Sequence, residues 1–278
     1  MKIKLPCRFL CFLLLIVLNG SLSLFAQQVD TIEVYSPKME VYVKNIIILP
    51  DGYNKESKIA YPVVYLLHGH SGNYLSWLKV VKPTLPQLAN KYQMVIVCPD
   101  GKNSWYWDSP VNRKSQYDTY VSQDLVNYVD THYKTIASPK GRAISGFSMG
   151  GHGALWLTLN HPDVFGVCGS MSGGVDIRPF PDNWDMSKAL GRYATNKAVW
   201  DAHTVITNAE KLRNIPLIFD CGEDDFFLEV NENLHKLLLD KNIQHTYIMT
   251  SGKHDSQYWN KAVEWQLDFF AKFFFPEN

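Results

Sequence analysis

From residue 61 onward the chain alternates two hydrophobic patterns. Short apolar runs at Tyr61 to Leu67, Met94 to Cys98, Arg142 to Ser145, Val164 to Ser170, Leu217 to Cys221 and Thr246 to Thr250 have the length of strands. Where Val, Leu and Ile fill successive positions, such runs predict strands covered on both faces. Between them lie segments with helical spacing: Tyr74 to Tyr92, interrupted near Pro83 and Pro86, then Tyr117 to Tyr133, Ala154 to Leu159, Val230 to Leu239 and Tyr258 to Phe274. In the second of these, Tyr120, Val121, Leu125, Tyr128 and Val129 share one helical face. Two earlier strands, Thr31 to Tyr35 and Val41 to Leu49, read as an opening hairpin that ends at the turn Pro50-Asp51-Gly52-Tyr53. Strand and helix in alternation predict an α/β fold with a mostly parallel sheet and helices on both faces. Residues 173–215, with Pro179, Pro181, Trp184 and Trp200, break the rhythm. They read equally as a lid or pocket wall inserted in the domain and as an irregular excursion packed by its own aromatics.

The amino terminus follows another pattern. Lys2, Lys4 and Arg8 precede the apolar run Phe9 to Leu18, and a small-residue exit ends at Ala26. This predicts a cleaved secretory signal over residues 1–26, since the apolar run is short of the about 20 residues that span a bilayer. The product would be secreted or periplasmic, with residues 27–278 as one domain, a size that a single core supports. Removing Lys2, Lys4 and Arg8 leaves 24 basic against 27 acidic side chains. With no basic stripe, nucleic acid and anionic membrane are poor partners and a small neutral substrate a better one. Of five cysteines, Cys7 and Cys11 would leave with the signal, and Cys98, Cys168 and Cys221 remain, each in or ending an apolar run. Three cannot pair completely, and they read as buried small hydrophobes, with a Cys168–Cys221 bridge open only if their strands adjoin.

Gly146-Phe147-Ser148-Met149-Gly150 stands where the strand ending at Ser145 turns into a helix, the pattern of a nucleophile elbow. A serine hydroxyl needs an imidazole to take its proton and a carboxylate to orient that imidazole, and in this strand–turn–helix context they follow as acid, then histidine. His254 lies directly after the last strand and before the final helix, where a loop would bring it over Ser148. For the acid, Asp225 and Asp224 compete at the end of the run Leu217 to Asp225; Asp225, three residues beyond Gly222, is the better placed to curl beneath His254. Backbone N–H groups of Met149 and of His70, in the loop His68-Gly69-His70-Ser71-Gly72, are the candidate oxyanion donors. His68 and His70 also form an H-x-H pair, but no third ligand with metal spacing accompanies them. No dinucleotide or Walker fingerprint is present, so neither metal nor cofactor is expected.

These four motifs in order, His68 to Gly72, Gly146 to Gly151, Gly222 to Asp225 and Gly252-Lys253-His254, resemble the "Putative esterase" family of α/β-hydrolases, which includes esterase D, feruloyl and acetylxylan esterases and the mycolyltransferases. The resemblance spans Val41 to Phe274 and implies Ser148 as nucleophile, Asp225 as acid and His254 as base. It also implies that the segment Asp100 to Asp108 borders the site, where Trp105, Tyr106 and Trp107 would stack on a sugar ring or an aromatic acyl group, unless they cover the core edge instead. The expected function is an exported serine esterase working through an acyl-serine intermediate on feruloyl or acetyl esters of carbohydrate. Acyl transfer on the same triad, or a non-catalytic glycan-binding protein in a hydrolase shell, are the alternatives. Oligomeric state is not legible.

Overall fold

The computed structural model describes residues 28–276; the proposed signal segment lies outside them. Strands β1 (Gln28–Ser36) and β2 (Val41–Leu49) form the expected antiparallel hairpin, in which polar outward positions alternate with buried ones along β1. Six five- or six-residue strands follow: β3 (Val63–Leu67), β4 (Val95–Pro99), β5 (Arg142–Gly146), β6 (Val167–Met171), β7 (Leu217–Gly222) and β8 (Thr246–Thr250). Every residue of β3 to β7 is buried, which is why these runs are mostly apolar instead of alternating, with Arg142, Ser145, Ser170 and Asp220 as buried polar exceptions.

The sheet order is β1-β2-β4-β3-β5-β6-β7-β8, with β2 antiparallel to β4 and all later pairings parallel. On one face lie α1 (Leu85–Lys91) and the carboxy-terminal helix, whose Ala262, Val263, Leu267 and Phe270 share a core with β3 and β4. The other face is covered by α2 (Tyr117–Thr119), which runs through a wide turn into α3 (Val126–His132), by α4 (Met149–Asn160), by α5 (Met186–Leu190) and α6 (Lys197–Ala202), and by α7 (Leu228–Asp240). The carboxy-terminal helix is α8 (Ser256–Phe274). Among the described residues no helix is long and apolar enough to cross a membrane.

Residues 173–215 fold onto the α4 side. Val175, Ile177, Met186, Leu190 and Trp200 enter the core there, and Tyr193 packs edge-on to Trp200 at 5.3 Å. Cys168 and Cys221 stand on adjacent strands, yet Cys168 is opposite Leu217, four residues before Cys221, an offset of about 13 Å along the strand. Both thiols and that of Cys98 are free and buried.

Candidate active site

Ser148 sits at φ 58°, ψ −119°, a conformation held from several sides. Its amide donates to Met171 O at 2.9 Å, its carbonyl accepts from His152 N at 3.1 Å, and Phe147 bridges to Met171. Such strain costs on the order of 1–3 kcal/mol and persists only where the surroundings impose it. The glycines make the turn possible. A Cβ on Gly146 would stand 2.6 Å from Gly150 O and 2.7 Å from Leu67 O, closer than any side chain allows. The elbow helix α4 starts immediately at Met149, so the Met149 amide has no partner within the helix.

His254 is fixed from its carboxy-terminal side. Asp255 caps α8, its carboxylate accepting from the amides of Gln257 and Tyr258 at 3.0 Å each. The acid loop is tied to the same segment, because Glu223 N donates to Thr250 O at 3.0 Å and Asp224 N to Gly252 O at 2.9 Å. The result is a continuous line of polar atoms. His254 Nδ1 lies 2.9 and 3.0 Å from the two Asp225 oxygens, and His254 Nε2 lies 2.9 Å from Ser148 Oγ. A carboxylate only accepts, so Nδ1 carries the proton and Nε2 is left to accept from the serine hydroxyl. The Asp225 side chain is fully buried and also accepts from Phe227 N at 2.8 Å, whereas Asp224 is exposed.

The loop after β3 packs against the elbow: a Cβ on Gly69 would come within 3.2 Å of Ser148 Cβ. His68 is immobilised, its Nδ1–H donating to Gly69 O at 2.7 Å and its Nε2 accepting from Gly101 N at 2.8 Å. The His70 ring turns away from its neighbour toward residues 173–215, with Nε2 3.4 Å from Asp185 Oδ2 and Nδ1 3.0 Å from Ser71 Oγ. The H-x-H pair therefore diverges.

Trp105, Tyr106 and Trp107 are placed differently from the expectation. All three are buried, at 1% exposure or less, so none offers a stacking face to a substrate. The polar ends of their rings explain the burial, since each indole N–H or hydroxyl finds a partner inside. Tyr106 Oη lies 3.0 Å from His68 N and 3.1 Å from His68 O, clamping the loop after β3. Trp107 Nε1 donates to His152 Nε2 at 3.0 Å, and Trp105 Nε1 to Trp184 O at 3.1 Å. His152 completes the joint, its Nδ1–H donating to Gly174 O at 2.9 Å. Burial holds its pKa down at about 4.

The aromatic surface beside His254 comes instead from Phe226 and Trp259, with Trp184 of residues 173–215. Phe226 is 52% exposed, its ring 4.1 Å from the His254 imidazole and stacked on Trp184 at 5.6 Å. Trp259 meets His254 edge-on at 5.0 Å, stacks on Phe147 at 4.3 Å and donates from Nε1 to Ser172 Oγ at 3.2 Å. The Phe226-Phe227 doublet after Asp225 was the available signal: on a chain turning into a helix, one ring of such a pair must face out while the other, Phe227, is buried.

The family described as "Putative esterase" matches residues 36–273. An acetyl esterase of Caldicellulosiruptor saccharolyticus is 27% identical over 220 residues, 73% of this chain and 82% of that protein. A ferulic acid esterase of known structure superposes with a TM-score of 0.76 at 25% identity, covering 90% of this chain and 100% of that one. The fluorophosphonate-binding serine hydrolase F of Staphylococcus aureus superposes with a TM-score of 0.79 at 20% identity, over 88% of this chain and 98% of the other.

Proposed function

Because the chain belongs to the "Putative esterase" family, and is therefore a carboxylic ester hydrolase on an α/β-hydrolase fold, we propose that Ser148, His254 and Asp225 are its nucleophile, general base and orienting acid. The observation that carries this reading is the unbroken line from Asp225 through His254 to Ser148 Oγ, each link between 2.9 and 3.0 Å. In it, His254 Nε2 takes the serine proton as Oγ attacks the ester carbonyl and returns that proton to the departing alcohol. Water then releases the acid by the same relay. The developing oxyanion is received by the backbone N–H groups of Met149 and His70, one opening α4 and the other on the loop packed against the elbow.

The substrate we propose is a feruloyl or acetyl ester of carbohydrate. The acetyl esterase and ferulic acid esterase relatives support the acyl group, and the Phe226–Trp184 stack beside His254 suits an aromatic acyl or a sugar ring. Trp184 makes residues 173–215 a pocket wall in this reading. Residues 1–26 are proposed as the export signal, so that the enzyme meets its substrate outside the cytoplasm. Purified enzyme is assayed on methyl ferulate, acetylated xylan and simple aryl acetates beside Ser148→Ala, with fluorophosphonate labelling located by mass spectrometry. The expected result is a label on Ser148 and a loss of kcat by at least about ten-thousandfold in the variant. Full activity in Ser148→Ala overturns the triad, and inactivity on both ferulate and acetylated xylan, with aryl acetates still turned over, overturns the carbohydrate-ester assignment alone.

A further inference from the structure

The sheet ends differently on its two sides. At one edge β1 carries the exposed charges Asp30 and Glu33, the usual means of discouraging another strand from adding to a free edge. At the other edge β8, among the described residues, pairs only with β7 and reads Thr246-Tyr247-Ile248-Met249-Thr250, with no charge and no proline. Met249 on this edge is 48% exposed. Beside β8 runs a groove of about 750 Å³, lined by Ile218 and Ile248 from the sheet, Trp265 and Phe269 from α8, and Tyr92 after α1.

We propose that a second copy of this chain covers this edge, its β8 antiparallel to the first about a twofold axis at Ile248, so that two eight-stranded sheets become one. About that residue the outer pair of β8, Thr246 and Thr250, is identical, while Tyr247 and Met249 form a mixed pair. Self-pairing sets Thr246 opposite Thr250, Tyr247 opposite Met249, and Ile248 opposite itself. Threonine pairs, β-branched pairs and sulfur–aromatic contacts are all favourable cross-strand neighbours. An isologous contact needs a patch complementary to itself, and a strand paired antiparallel with its own copy through these side-chain pairs meets that condition.

The strand alone is too short for the purpose. Five residues span about 17 Å, whereas a stable interface takes about 800 Å² from each partner. The groove supplies the remainder, since the twofold axis that pairs the β8 strands also brings the two α8 faces together over Trp265 and Phe269. The polar residues of that face, Lys261, Glu264, Asp268 and Lys272, balance in sign, so a copy approaching it meets no net like charge. The balanced charge of that face and the favourable self-pairs of β8 favour a second copy over an acidic or basic partner.

Sedimentation velocity across a dilution series, with hydrogen exchange read at the β8 amides, tests this. The expected result is a doubled mass at the higher concentrations and slow exchange along β8. Met249→Lys and Thr246→Lys, both at exposed edge positions, each restore the monomer mass and speed β8 exchange, while the thermal unfolding curve shows that each variant remains folded. A monomer mass throughout the series overturns the proposal, as does a dimer that persists in both variants or one whose β8 amides exchange freely.

Discussion

Asp225 accepts from the His254 ring and from the Phe227 amide inside the protein, while one residue earlier the Asp224 carboxylate stands in solvent. Asp225→Asn should therefore lower kcat by about ten-thousandfold, because the amide no longer holds the imidazole in the tautomer that accepts from Ser148. Asp224→Asn should leave kcat/KM close to that of the wild type; equal losses in the two variants would contradict the assignment. The neighbouring Phe226 belongs to substrate selection in the proposed mechanism. Phe226→Ala should raise KM for methyl ferulate by about tenfold, the value of a lost aromatic contact, and change little for a simple alkyl acetate. A fall in kcat on both esters would instead show that Phe226 orients His254. Ser148 and His254 were legible in the sequence because each occupies a local chain signature, a glycine-flanked turn or a loop between the last strand and helix. Phe226 and Trp259 were not, because they reach His254 from separate segments and meet Trp184 and Phe147 only in space.

Elements were legible in proportion to how strictly burial dictates their composition. β4 and β7 appear as the apolar runs predicted, to within a residue at either end. α4 begins at Met149 instead of Ala154, since Gly150, Gly151 and Gly153 lower intrinsic helix propensity while close packing beneath β3 and β5 demands small residues there. β6 begins at Val167 and not Val164, because Val164 and Phe165 turn back to donate to His161 O. One link between elements carries a pH dependence. Gln266 on α8 bonds Ser145 of β5, Ser170 O of β6 at 3.1 Å and Asp220 of β7 at 2.8 Å, stitching three adjacent strands to one helix. Burial raises the Asp220 carboxyl to about 7, against the opposing hydrogen bonds of Gln266 and Tyr258. A carboxyl raised in the folded state binds its proton more tightly there than in the unfolded chain. Stability is then full below the ordinary carboxylate range and falls as pH rises toward about 7. Asp220→Asn, neutral at every pH, should have a higher Tm than the wild type above neutrality, by an amount on the order of a few kcal/mol in stability, and the gain should vanish toward pH about 4. A difference in Tm that does not vary with pH would remove Asp220 as its source.

Across the whole molecule, parallel pairing and two covered faces followed from alternation of strand and helix, but the placement of β4 between β2 and β3 did not. Strand order is decided by long-range pairing, and β3 and β4 have nearly interchangeable apolar sequences. The same long-range order distributes the three cysteines of the described residues, Cys98, Cys168 and Cys221, to β4, β6 and β7, one thiol per strand and all of them buried. Burial raises each thiol's pKa, that of Cys168 to about 12, so none is reactive while the sheet is closed. The protein thereby carries an internal clock for its own breathing. Alkylation of each sulfur requires its strand to open, and the order in which Cys98, Cys168 and Cys221 acquire mass reads out whether the sheet parts from its middle, from the β7 side, or all at once.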